Sequence, residues 1–470
     1  MMDKFTRREF ITALGASAAM AFAPRTFARN SNNRLNVLLI TADDMNFDSL
    51  GVTGCEVPDI TPNLDALAAQ GMRFTQAHVT SAICQPSRSA LMTGRFPHRN
   101  GALGFQPINE NVPTLQEHLR KAGYFNGIMA KIEHLTPKWK FCWDVEIPAQ
   151  DLGNGRDPEA YYVKSKSFFE QAKAAGKPFF LMANSMDPHR PFPGAETVSK
   201  VSRTYKPKEI TVPPFLPGDP PDVRKELAQY YTAVHRCDET VGQILRALKE
   251  TGFEENTIVF FLSDNGISEP FAKTNCYYTS TATPLIVRWP GKIKPGTVND
   301  KDLVSGVDFM PTVLDALALD QVEGLDGRSF VPLLEGKHSS GWDKVFTFIT
   351  STSAGNMFPM RCVRTKNFSY IFNAWSDGKT TFKNEPMGGL AFKAMAQSSD
   401  QKIAERVKFF LYRTPEELYD IRKDPWEQKN LIAEKDYKNT LSKFRLELLR
   451  MMERTGDPLL DVFKARIGKD

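Results

Sequence analysis

The sequence is short of cysteine and lacks any CxxC spacing, any concentrated basic run, any internal repeat and any apolar stretch long enough to cross a bilayer. Its six cysteines (Cys55, Cys84, Cys142, Cys237, Cys276, Cys362) are scattered, which argues against a zinc site or a dense disulfide framework. Lys and Arg number 60 against 55 Asp and Glu, a net charge of +5. Residues 1–28 hold Lys4, Arg7, Arg8 and Arg25 against Asp3 and Glu9, so the remainder stands at +3. Phosphate backbones demand cations gathered on one face, so this balance carries no nucleic-acid footprint, and an anionic ligand must be held locally. What is present is ordinary for a globular protein: 41% hydrophobic and 24% charged residues, with 30 Gly and 31 Pro. At 470 residues the expectation is one large α/β unit with a smaller one appended.

The amino terminus reads as an address. Thr6-Arg7-Arg8-Glu9-Phe10-Ile11 precedes a mildly apolar stretch, Thr12 to Phe22, too short to span a bilayer. This looks like a twin-arginine export signal over residues 1–28, with Thr26-Phe27-Ala28 as the cleavage site and a mature chain starting near Arg29. The competing reading is an amphipathic cap. Export by that translocase carries folded proteins, so a periplasmic or secreted location is expected, with no membrane span.

From Asn36 to about residue 320, β-rich runs alternate with helical patterns, the signature of a sheet with helices on both faces. Strands are expected at Asn36–Thr41, Phe125–Ala130, Pro178–Asn184, Thr257–Leu262 and Pro284–Trp289. Helices are expected from Thr61 to Gly71, Thr114 to Ala122, Asp222 to Glu250 and Val307 to Leu319. Leu325 to Gly341 reads as a linker, dividing a larger unit (29–340) from a smaller one (341–470) with strands at Val345–Thr350 and Ser369–Phe372 and a charged helix from about Asp436.

Chemistry collects at the ends of these strands. Asp43-Asp44 follows the first, and Asp264-Asn265 follows the fourth within Ser263-Asp264-Asn265-Gly266. All four offer oxygen ligands and none offers sulfur or imidazole, so a hard cation is favoured, Ca²⁺ first and Mg²⁺ second. Taken alone, either pair is equally a solvated loop or a helix cap. Lys131 and His134 follow the second strand, Asp187-Pro188-His189-Arg190 the third, and Lys273 lies beyond Asp264. Alone, each of these lysines would read as solvated and His189 as a surface-turn residue. In a mainly parallel sheet, however, carboxyl ends share one edge, where α/β proteins bind ligands. In Cys84-Gln85-Pro86-Ser87-Arg88-Ser89-Ala90-Leu91-Met92-Thr93-Gly94-Arg95, Pro86 is a good first helical residue, which puts Cys84 just before a helix amino terminus and Arg88 one turn along.

That twelve-residue string resembles the sulfatase signature C-x-P-S-R-x-x-L-x-T-G-R at every fixed position. The resemblance implies an alkaline phosphatase-like α/β fold, a mainly parallel central sheet with helices on both faces, plus a smaller C-terminal α+β domain with an antiparallel sheet. It also implies that Cys84 is oxidised to formylglycine, whose hydrated aldehyde is the nucleophile, by a formylglycine-generating or anaerobic sulfatase-maturating enzyme. Ca²⁺ would be held by Asp43, Asp44, Asp264, Asn265 and residue 84. Arg88 and Lys131 would hold nucleophile and sulfuryl oxygens, His134 would bond the nucleophile's hydroxyl, and His189 with Lys273 would serve the leaving group. Within the family the sequence is most similar to the heparan N-sulfatase (N-sulfoglucosamine sulfohydrolase) branch, through Lys177-Pro178-Phe179-Phe180-Leu181, Asp187-Pro188-His189-Arg190, Ser263-Asp264-Asn265-Gly266-Ile267, Thr274-Asn275, Glu417-Leu418-Tyr419-Asp420 and Asp424-Pro425. It departs at Lys131-Ile132-Glu133-His134, whose spacing is that of iduronate sulfatase, and at Lys273, where that branch has arginine. The implied substrate is a sulfated saccharide cut at a sulfate ester or sulfamate. The alternatives are a phosphate or phosphonate monoester hydrolase of the same fold, or a non-catalytic glycan-binding relative with unmodified Cys84.

Overall fold

The computed structural model describes residues 34–193, 201–337 and 340–468, and the export signal expected over residues 1–28 lies outside them. Among the described residues, eight strands form the main sheet: β1 (Asn36–Ala42), β2 (Met72–Phe74), β3 (Phe125–Met129), β4 (Val145–Ile147), β5 (Phe179–Asn184), β6 (Thr257–Ser263), β7 (Leu285–Arg288) and β8 (Thr297–Asn299). They lie in the order β4-β3-β5-β1-β6-β7-β2-β8. Every neighbouring pair is parallel except those made by β7, which runs against both β6 and β2. The carboxyl ends of β3, β5, β1 and β6 therefore stand side by side.

The sheet is buried on both faces, as a parallel sheet requires. Alternation along β1 sorts the packing. Leu38 and Ile40 join a core with α1 (Pro62–Gln70), α4 (Pro158–Ala174) and the 30-residue α5 (Pro221–Glu250). Val37 and Leu39 face the opposite core, with α2 (Cys84–Thr93), α3 (Leu115–Lys121) and α6 (Phe309–Ala316). Capping follows the sequence: Thr114 starts α3 with a reciprocal Thr114–Glu117 capping box, and Pro62 is the first residue of α1.

C-terminal to these, β9 (Lys344–Ser351), β10 (Met357–Thr365), β11 (Phe368–Asn373) and β12 (Glu416–Asp420) form a separate antiparallel sheet in that order. One face packs on α7 (Lys438–Thr455) through Phe348, Tyr370, Leu418, Phe444 and Leu448. The other, with Ile349, Met360 and Ile371, merges with the main core.

Two expectations change. The segment read as a linker is packed: Phe330, Leu333 and Leu334 are buried in the main core, and Asp326 accepts the Phe96 N–H at 2.8 Å. Turn formers such as Asp326-Gly327 dominate its composition and mask three core side chains. Helix α2 begins at Cys84 itself, two residues before Pro86, with Ile83 as its extended N-cap. All six cysteines are free thiols.

Candidate active site

The predicted residues arrive on several different elements. Asp43 and Asp44 leave β1, Lys131 and His134 leave β3, His189 follows β5, Asp264 and Asn265 leave β6, and α2 presents Cys84 and Arg88. Backbone bonds pin these loops together: Asp43 N–H donates to the Asp187 carbonyl at 3.1 Å and Asp264 N–H to the Ala42 carbonyl at 3.2 Å. Asp44, Ala130, Lys131 and Thr274 take left-handed backbone (φ 68°, 53°, 52° and 62°), a strained state for side-chain-bearing residues that concentrates at functional sites. Gly266 is required in Ser263-Asp264-Asn265-Gly266 because a Cβ there would run into the Thr279 carbonyl oxygen. Gly94, at φ 60°, ends α2 in a left-handed cap.

Arg88 is wholly buried, and both terminal nitrogens of its guanidinium are engaged while Nε has no hydrogen-bond partner. One nitrogen donates to Thr41 Oγ1 (2.8 Å) and Asn184 Oδ1 (2.6 Å), the other to Asp264 Oδ2 (2.7 Å). Thr41 and Asn184 are register partners on β1 and β5, and Asn184 Nδ2 reaches the Met129 carbonyl on β3 at 2.8 Å. One guanidinium thus reads three strand ends.

The acids and the remaining cations interlock. Lys131 Nζ contacts Asp43 Oδ2, Lys273 Nζ lies 2.9 Å from Asp44 Oδ2, and Asn265 Nδ2 donates to Asp44 Oδ1 at 2.7 Å. Burial pushes the Asp43 carboxyl up, but Lys131, His189, Arg88 and Lys273 outweigh it and hold Asp43 well below the usual range. Asp264 goes the other way: burial, with Asp43 and Asp44 adding to it and Arg88 opposing, pushes it up to about 7. The carboxylates are crowded enough to welcome a further cation. Asn265 Oδ1 is buried without a hydrogen-bond partner, and ligand atoms of Asp43, Asp44, Cys84 and His189 all lie within 4.8 Å of one another. Asp264 is not among those four, and its two oxygens engage Arg88 and the Asp44 N–H (3.2 Å). The oxygen donors of Asp43, Asp44, Asp264 and Asn265, taken apart from the Cys84 sulfur and the His189 ring, are the types that suit a hard metal ion.

Cys84 is buried and donates its S–H to Asp43 Oδ1 at 3.3 Å. Burial first, then Asp43, pushes the thiol well above its ordinary value, so it is neutral and a poor nucleophile as encoded. His134, packed edge-on against Phe105, is driven down to about 2 by burial, Lys131 and Arg88, and acts as neutral imidazole with Nδ1 unpartnered. His189 turns Nδ1 onto the Arg190 carbonyl, which can only accept, so Nε2 faces the site, 3.9 Å from Asp44 Oδ2 and 3.4 Å from Glu385 Oε1.

Thr41, Asn184 and Glu385 carry no sequence signal, and Asp187, marked in the sequence only as part of the Asp187-Pro188-His189-Arg190 run, takes a definite role from the fold. Thr41 and Asn184 act only through register. Asp187 anchors the His189 loop by ion pairs with Arg236 (2.6 Å) and Arg156 (3.2 Å). Glu385, from the segment between β11 and β12, reaches Lys273 Nζ at 2.9 Å.

Comparison with known proteins gives one answer from several directions. Residues 35–319 match the family model described as Sulfatase, and residues 266–380 match one described as N-sulphoglucosamine sulphohydrolase, C-terminal. An ulvan-active sulfatase of Formosa agariphila is 30% identical over 432 residues, covering 90% of this chain and 81% of its own. Human N-sulphoglucosamine sulphohydrolase is 29% identical over 464 residues, covering 90% of this chain and 91% of its own. A solved structure of a protein in complex with its substrate D-glucosamine-2-N,6-O-disulfate shares the fold, with TM-score 0.68 at 19% identity, covering 90% of this chain and 99% of that one.

Proposed function

The chain belongs to the sulfatase family, the sulfuric ester hydrolases, and on that premise we propose that it releases sulfate from a sulfated saccharide, cutting an ester or a sulfamate, with Cys84 as the precursor of its nucleophile. The observation that carries this is the convergence of three buried cations, Arg88, Lys131 and Lys273, on the acid cluster around residue 84. The saccharide class is drawn from the human sulphohydrolase and from the disulfated glucosamine held by the structural neighbour.

Charge supports the reading. With Asp264 ionised, as holding a cation would require, Asp43, Asp44 and Asp264 match Arg88, Lys131 and Lys273 one for one, so over these six groups the inner site balances before any ion is added. A divalent cation, Ca²⁺ before Mg²⁺, held by Asp43, Asp44, Asp264, Asn265 and the oxygen-bearing residue 84, would leave it positive toward an anionic sulfuryl group and would draw charge from it. Formylglycine at position 84 would supply a second hydroxyl able to expel sulfate, which neither thiol nor serine offers.

The chain's own residues then divide the work. Arg88, fixed by three strand ends, and Lys131 orient residue 84 and neutralise sulfuryl oxygens. His134, kept neutral, hydrogen-bonds the nucleophile's hydroxyl. His189 presents Nε2 to the leaving group as proton donor, with Lys273 beside it. Upstream, residues 1–28 address the chain to the twin-arginine translocase and the periplasm or the exterior, and a maturating enzyme oxidises Cys84.

Mass spectrometry of the Cys84 peptide from the native host tests the proposal: the expected product is the aldehyde or its hydrate, and an intact thiol in active enzyme would refute it. Cys84→Ala should abolish sulfate release and leave the melting temperature nearly unchanged.

A further inference from the structure

Glu385 places a carboxylate where a sulfate-binding site should reject one. Its Oε2 lies 2.9 Å from Lys273 Nζ and its Oε1 3.4 Å from His189 Nε2, with Ser268 Oγ donating to Oε1 at 3.4 Å. Its neighbour Asn384 donates to the Lys273 carbonyl at 3.2 Å, which fixes the approach of this arm across 111 residues of sequence. The Glu385 side chain is 27% exposed, so it is not sealed from a ligand.

In the reading proposed above, Lys273 and His189 flank the departing group rather than the sulfuryl oxygens. Lys273 and His189 offset part of that negative charge; toward the ligand it still disfavours the sulfate and favours a substrate that brings hydrogens to it. A sulfamate nitrogen carries one, and the hydroxyls or amine next to a sulfated position on a sugar carry others. The bridging oxygen of an aryl sulfate and its ring offer none.

We infer that Glu385 is a specificity-determining residue that accepts a hydrogen bond from an N–H or O–H group of the sugar beside the scissile bond. The site thereby favours saccharide leaving groups rich in hydrogen-bond donors over those without. This inference rests on the sulfatase reading of the site. It assigns to the C-terminal segment, which brings none of the predicted catalytic residues, a direct part in substrate choice.

The test uses the matured full-length protein as wild type, Glu385→Gln and Glu385→Ala, each first checked by melting temperature. Sulfate release is measured on N-sulfoglucosamine, glucosamine 6-sulfate and 4-nitrophenyl sulfate. In Glu385→Ala, kcat/KM on the preferred sugar should fall about tenfold or more, the scale of one lost charge-assisted hydrogen bond, while that on 4-nitrophenyl sulfate rises as the repulsion is removed. Glu385→Gln, which keeps an acceptor but not the charge, should lie between. A sugar-to-aryl ratio that shifts less than tenfold in Glu385→Ala overturns the inference, because a merely structural role would lower both probes together. A wild type that cleaves the aryl ester but neither sugar also overturns it. A wild type that acts on sugar alone supports it only if Glu385→Ala gains aryl turnover, and the absence of that gain overturns it. Release from none of the probes by matured wild type would instead overturn the proposed function itself.

Discussion

The guanidinium of Arg88 and the carboxylate of Asp264 face each other at 2.7 Å with neither side chain exposed. Such a pair contributes little net stability as a pair, yet removing Arg88 strips the buried Thr41, Asn184 and Asp264 of the donor they share. Arg88→Ala should therefore lower the unfolding free energy by about 3–5 kcal/mol in urea denaturation. Arg88→Lys keeps the charge but not the fork that serves Thr41, Asn184 and Asp264 together, and should still cost about 1–3 kcal/mol. A Lys variant as stable as wild type would show that the fork is dispensable.

Asp187 couples two loops of the site. Its carboxylate meets Arg236 at 2.6 and 2.9 Å, its carbonyl accepts the Asp43 N–H, and Arg156 adds a bond to the His189 carbonyl at 3.0 Å. Asp187→Asn should destabilise by about 3 kcal/mol, because the buried Arg236 loses its counter-charge. Since the His189 loop loosens with it, kcat should drop more than KM changes. Steady-state kinetics with an unchanged kcat would separate the anchor from the chemistry.

His98 sets an acid limit. It stacks on Phe96 and tilts against Phe348 of the C-terminal sheet, with Nδ1 3.8 Å from Asp457. Burial, opposed by Asp457 and reinforced by Arg361 and Arg99, pushes it down to about 4 from an ordinary 6.5. Between those values the unfolded chain binds a proton that the folded chain refuses, so stability must fall as pH drops from about 6.5 to 4, by the order of 3 kcal/mol from this group. His98→Gln should flatten that slope in melting curves taken across the window; an unaltered slope would place the acid sensitivity elsewhere.

The orphaned Asn265 oxygen and the crowded carboxylates predict a thermal response to metal. Ca²⁺ at about one hundred times its dissociation constant should add about 2.7 kcal/mol of stability, with Mg²⁺ giving less at equal concentration. Asn265→Ala and Asp44→Ala should lose most of the shift. Differential scanning fluorimetry with and without chelator reads it directly, and a chelated protein that melts like the calcium-loaded one would remove the ion from the site.

Much of the fold is legible because parallel strands are apolar on both faces: Asn36–Ala42 and Thr257–Ser263 are buried at every position and read as unbroken runs. Three-residue strands such as Met72–Phe74 and Thr297–Asn299 hold too little pattern, and Pro158–Ala174 hides its helical spacing of Tyr161, Ser165, Phe168, Phe169 and Ala172 among polar residues. In the site, acids at strand ends and the Cys84–Arg95 string are legible because ligand and nucleophile types are chemically distinctive. Asn184 is not, since its role arises from register with Thr41. Glu385 is not either, because nothing local distinguishes it from any loop glutamate until the chain folds it against Lys273.

Only 3% of Cys84 is exposed, and its thiol is already bonded to Asp43. No second enzyme can reach that sulfur in the closed protein, so the oxidation proposed for it belongs to the interval between synthesis and folding. A chain that folds first is beyond rescue. If export by the twin-arginine route requires a folded passenger, the interval closes in the cytoplasm, and a host lacking a maturating enzyme there would deliver a well-formed but inert protein.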